Sequence, residues 1–141
     1  MQPSPKKLLA CAAFAAVTAA VAYPAIAHHS TTMFNHAAQV SITGVVKEVH
    51  WTNPHVAIFV FGSDKPGAEP VMWVLEMTSP GNLTRAGGWS RTAIKPGDKV
   101  EVNLAPLRNG DKGGALKKIT VAERNLTLNA DIRDAEGVIK E

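Results

Sequence analysis

Five short runs of apolar and β-branched residues, each cut off by glycine or proline, dictate what this chain can fold into. The runs are "VSITGVVKEVHW" from Val40, "HVAIFVF" from His55, "VMWVLEM" from Val71, "KVEVNLAPL" from Lys99 and "LKKITVAE" from Leu116. Each is too short for a long helix and too rich in Val, Ile, Phe and Trp for a loop, which reads as strand. Val100, Val102 and Leu104 alternate with Lys99, Glu101 and Asn103, the pattern of a strand buried on one face. "HVAIFVF" is apolar at nearly every position and is expected to be a central strand. Gly44, inside the first run, marks a bulge or a sharp bend. One segment departs from this rhythm. In "TSPGNLTRAGG", Ser79 can cap a helix, Pro80 suits its first position and Gly87 suits its end. Asn53-Pro54 breaks the chain between the first two runs, and "RNGDKGGA" reads as a glycine-rich turn before the fifth.

Three strands, a short helix and two more strands is the plan of a small OB-like Greek-key barrel, so the predicted fold is mainly β with one helix between strands 3 and 4. A small β-sandwich is the alternative architecture. The barrel is expected over residues 40–128, with an N-terminal arm over 28–39 that docks through Met33 and Phe34, and a loosely ordered tail over 129–141.

The first 27 residues carry a different signal. Lys6 and Lys7 precede an Ala- and Val-rich apolar run from Leu8 to Ala22, Pro24 breaks it, and Ala25-Ile26-Ala27 supplies small residues for cleavage. This is the pattern of a secretory signal peptide rather than of a membrane span. "LLAC" ending at Cys11 looks superficially like a lipoprotein site, but only three apolar residues separate Lys7 from Cys11. A periplasmic or secreted protein starting at His28 is therefore expected, with no transmembrane segment in the mature chain. Cys11 is the single cysteine, so the mature protein has neither disulfides nor thiolate ligands. Loss of Lys6 and Lys7 takes fifteen basic residues to thirteen against twelve acidic ones, so the net charge falls from +3 to +1. Such a balance gives no electrostatic case for nucleic acid.

All five histidines, His28, His29, His36, His50 and His55, lie between the expected cleavage site and the second strand. A mature N-terminal His28 offers its amine and its ring Nδ1 to one ion, and a distant imidazole completes a nitrogen set of the kind Cu(II) prefers. His29 offers a competing chelate through the amine and the intervening amide. The site expected on this reading is copper held by His28 with His29, His36, His50 or His55. The same histidines also fit plain structural duties, with His50 and His55 bonding the turn between them. A second candidate is a ligand surface around Trp51, Asn53 and Trp89, on the expectation that the two tryptophans, at element ends, are partly exposed, whereas Trp73 belongs in the core. On this reading the chain binds a small ligand or a periplasmic protein partner without catalysing a reaction. Glu48 and Glu76 could pair across the sheet as acid and base. Ser30, Ser79 and Ser90 lack a nucleophile motif, and "GDKGG" lacks the spacing of a phosphate loop.

The segments "HHS" after the signal, "GVVKEVHWTNPH" in the middle and "SPGNLTRAGGW" later resemble a widespread family of small exported bacterial proteins of unknown function. Trp51, Asn53, Pro54 and His55 are the most specific part. The Gly87-Gly88 pair adds one glycine to the family pattern. The resemblance spans His28 to about Leu128 and implies export and a compact β domain, but no reaction. Intact mass measurement of the exported protein is expected to give a chain beginning at His28; a chain beginning elsewhere removes the terminal chelate.

Overall fold

The first strand, β1 (Val40–His50), is the axis of the molecule because it pairs on both sides. Residues 40–45 run antiparallel to β4 (Lys99–Pro106), and residues 43–50 run antiparallel to β2 (Ala57–Ser63). β2 pairs in turn with β3 (Val71–Glu76), and β4 with β5 (Gly113–Val121). A short parallel contact of Val74–Glu76 with Gly113–Ala115 joins β3 to β5. The ring β1-β2-β3-β5-β4 is thus a closed five-strand barrel, with the helix α1 (Pro80–Ala86) between β3 and β4, as the sequence predicted. The computed structural model describes residues 31–130; the expected signal peptide, His28, His29 and the segment 131–141 lie outside the described residues.

Alternation along the strands fills the barrel. Ile42 and Val46 of β1, Ile58 and Val60 of β2, Trp73 and Leu75 of β3, Val102 and Leu104 of β4 and Leu116 and Ile119 of β5 all point inward and are buried. Ser79 caps α1 by accepting a hydrogen bond from the Asn82 backbone N–H at 3.3 Å, Pro80 stands at the first turn, and Gly87 ends the helix at φ 91°. The helix has only seven residues and seats Leu83 in the core, a burial worth about 2 kcal/mol.

Two local expectations shift. The β1 bulge lies between Val46 and Glu48, not at Gly44. Gly44 instead faces Gly62 across the sheet, where a methyl would lie 2.5 Å from the Phe61 carbonyl oxygen and 2.7 Å from the Gly62 Cα. Gly113 and Gly114, read as turn residues, form the start of β5. A methyl on Gly114 would lie 2.1 Å from the Ala105 carbonyl oxygen, so only glycine lets β5 leave β4 and meet β3.

The chain also continues further than five strands. β6 (Leu126–Asn129) pairs with β5, and the Ala130 N–H donates to the Lys117 carbonyl at 2.8 Å. The segment looked weakly patterned because only Leu126 and Leu128 face inward. It is held by a long-range bond, Trp89 Nε1 donating to the Asn129 carbonyl at 2.7 Å. Of the two arm residues expected to dock, Phe34 is buried against Leu107, Ala105 and Ala115, while Met33 is exposed.

Gly44→Ala and Gly62→Ala are each expected to cost about 1–3 kcal/mol, the usual penalty of overpacking. Gly81→Ala, with nothing closer than 3.8 Å in the exposed first turns of α1, is expected to gain about 0.4–1 kcal/mol. Urea denaturation of the three variants checks both signs.

Candidate functional site

The outward residues of β1, β2 and β3 fall into three rows across the sheet. Register places Val45 beside Phe61 and Met72, then Glu48 beside Phe59 and Val74, then His50 beside Ala57 and Glu76. The bulge after Val46 produces this arrangement. It adds one residue to β1, so that Lys47 and Glu48 both reach solvent and His50 stays on the outer face.

The first row is apolar, and the second is apolar apart from Glu48. Phe61 and Met72 are 40% and 45% exposed, and Phe59 and Val74 lie half-buried in the next row. The Lys47 ammonium sits 5.6 Å from the centre of the Phe61 ring. Beyond Val45 the surface dips into a shallow depression of about 410 Å³ lined by Thr43, Lys99, Glu101 and Thr120 among others.

The third row is ionisable. His50 Nε2 lies 2.9 Å from a Glu48 carboxylate oxygen, and its ring rests 4.8 Å from the Phe59 ring. His55, in the loop between β1 and β2, places Nδ1 3.9 Å from a Glu76 carboxylate oxygen. Both pairs are substantially exposed, so neither contributes more than about 1 kcal/mol to folding. The Asn53–Pro54 peptide in the same loop is cis. His36 stands elsewhere, on the arm, with its ring edge-on to Phe34 and its carbonyl accepting from Lys117 Nζ at 3.4 Å. Among the described residues no three His, Asp or Glu side chains stand together as a metal-binding group.

The tryptophans are placed differently from the sequence expectation. Trp73 is buried, as expected, and Lys112 Nζ lies 4.8 Å over its ring. Trp89, expected to be partly exposed, is only 4% exposed, because its indole is the strut that holds β6. Trp51 is half-buried against the core and Asn53 is exposed, so the exposed aromatic surface lies on Phe59 and Phe61 rather than on Trp51 and Trp89. The signal for it was present in "HVAIFVF". An apolar outer face fits a central strand with both sides covered, whereas here Phe61 stays 40% exposed with only the Lys47 ammonium over its ring. Glu48 and Glu76 are not paired across the sheet: two strand spacings, roughly 10 Å, and one row separate them.

The pattern of a family of unknown function, DUF6152, matches residues 15–117. The chain belongs to this family. The match takes in β1 to β4, the outer face and the first half of β5, and stops short of β6. No curated protein and no solved structure matches the chain. DUF6152 membership therefore agrees with the resemblance seen in the sequence and assigns no chemistry to the three rows.

Proposed function

We propose that the protein is a periplasmic, non-catalytic accessory protein that binds Cu(II) through a mature N-terminal His28, with His29 beside it and an imidazole of the β domain as the distant ligand. The observation that supports this reading is the state of His50 and His55. Both rings are at the surface, neither packs in the core, and each lies against a carboxylate. An outer carboxylate partner is what orients and activates imidazole ligands in metal sites. His36 is the less suitable partner, since it belongs to the docked arm. The arm itself is anchored where the described chain begins: Arg108 donates from Nε to the Thr32 carbonyl and from its backbone N–H to the Met33 carbonyl, both at 2.9 Å. Two residues, His29 and Ser30, separate His28 from Thr31 in the sequence.

Binding requires a deprotonated amine and neutral imidazoles, so copper affinity is expected to fall as pH is lowered. Titration of the processed chain with Cu(II), followed by electron paramagnetic resonance, is expected to give one tight site with several nitrogen ligands. Adding a glycine before His28 is expected to abolish it. Weak binding that ignores the glycine overturns the proposal.

A second reading is supported by the apolar row. Phe61 and Met72, with Lys47, Ser63 and Thr43 beside them, have the make-up of an interaction patch, and β2–β3 is the face that barrels of this plan use for ligands. On this reading the chain is a binding module for a small ligand or a periplasmic protein. Phe61→Asp is expected to remove a partner captured by the wild type while leaving the thermal transition nearly unchanged; retention of that partner by the variant sinks it.

A further inference from the structure

The tripeptide Asn-Leu-Thr occurs twice in the chain, at Asn82–Thr84 and at Asn125–Thr127. Asn-x-Thr is the acceptor pattern for N-linked glycans and belongs to surface loops of exported proteins. The fold treats the two copies differently. Asn82 stands inside α1. Its Nδ2 donates to Thr78 Oγ1 at 2.9 Å, its Oδ1 accepts from the Arg85 guanidinium, and Thr84 Oγ1 donates to the Pro80 carbonyl at 2.9 Å. Both ends of the Asn82 amide and the threonine hydroxyl are thus engaged, and Leu83 between them is buried in the core. Asn125 stands in the turn between a short 3-10 segment (Ala122–Arg124) and β6. Its backbone is left-handed, at φ 47° and ψ 40°, its side chain is exposed, and its amide has no hydrogen-bond partner among the described residues. Thr127 is exposed on β6 and shares one hydrogen bond of 3.2 Å with the Thr120 hydroxyl. Glu123, two residues before Asn125, meets Lys99 Nζ at 3.0 Å in a surface pair that exchanges readily with water. Asn tolerates a left-handed turn, which accounts for Asn125 but for neither Thr127 nor Glu123.

We infer that Asn125 is the acceptor of an N-linked glycan, transferred after export from a polyprenyl-diphosphate-linked oligosaccharide. In that transfer Asn125 Nδ2 gives up one proton and bonds to the anomeric carbon of the first sugar. The bond from that carbon to the diphosphate oxygen breaks, and the polyprenyl diphosphate leaves with the electron pair. The Thr127 hydroxyl is the group by which a transferase holds the amide in place, and an acid two residues before the asparagine is the further feature that bacterial transferases read. Glu123 supplies that acid, whereas the copy in α1 has Pro80 at the same position. Access is favourable, since β6 has only four residues and stands at the end of the sheet order, so it can leave β5 without opening the barrel. Once attached, a bulky hydrophilic group at the start of β6 shields an edge strand from pairing with another chain. The site lies beyond residue 117, where the family pattern ends. It rests on the periplasmic reading and on nothing in the copper reading.

The test is peptide mapping by mass spectrometry of the protein purified from its native cells. Cleavage after Arg124 and Arg133 releases residues 125–133, and this peptide is expected to carry the mass of one glycan. Asn125→Asp keeps a residue that tolerates the left-handed turn but lacks the amide nitrogen, so the added mass is expected to vanish while circular dichroism matches the parent. Thr127→Val keeps a β-branched residue on β6 and is also expected to lose the glycan, whereas Thr127→Ser retains it. Glu123→Gln is expected to lower the occupied fraction, and Asn82→Gln to leave it unchanged. An exported chain beginning at His28 with residues 125–133 at their unmodified mass overturns the site alone, as does a glycan that survives Asn125→Asp or Thr127→Val. A chain kept in the cytoplasm with residues 1–27 attached overturns the periplasmic reading and the site with it.

Discussion

Closure of the barrel is the constraint on which the rest of the structure depends. β5 must hold two partners at once, β4 through most of its length and β3 at its first three residues. No side chain fits where the three backbones converge, and Gly113 and Gly114 are there for that reason. The opposite side of the ring has its own close approach, the facing pair Gly44 and Gly62. Between these points the strands coil tightly enough for a core of Ile, Val, Leu, Met77 and the two tryptophans Trp73 and Trp89 to fill the interior without disulfides.

Closure also decides what faces outward. Once every inward position is taken, the remaining side chains of β1, β2 and β3 have no second layer to cover them among the described residues. The bulge after Val46 then sorts this outer face into an apolar row, a mixed row that carries Glu48, and an ionisable row. Without that extra residue, Glu48 and His50 would alternate inward with Val46 and bury their charge, since a one-residue shift exchanges the two faces of a strand. The carboxylate–imidazole pairs are thus a consequence of how β1 is bent.

Much of this could be read in the residues. Ser79, Pro80 and Gly87 act at the helix ends as their chemistry dictates, and the alternation in Lys99–Pro106 identifies its buried face directly. Other features could not be read locally. "LTLN" forms β6 by pairing with β5, and the buried Trp89 indole donates to a carbonyl forty residues away. "HVAIFVF" fits a strand covered on both faces as well as one with Phe59 and Phe61 left at the surface, and periodicity alone cannot separate the two. Glu48 and Glu76 look like possible partners in a linear reading, but register sets them apart and gives each a histidine instead.

By itself the sequence determined the succession of the five barrel strands, the helix between β3 and β4, the confinement of all histidines to one stretch and the absence of cysteine after residue 11. These follow from local propensity, capping chemistry and composition, which need no distant contact. The tertiary structure alone decided which histidines share a face, which carboxylates accompany them and which aromatic rings reach solvent. Those depend on pairing register and on a single bulge, and register is fixed only when distant strands meet and the barrel closes.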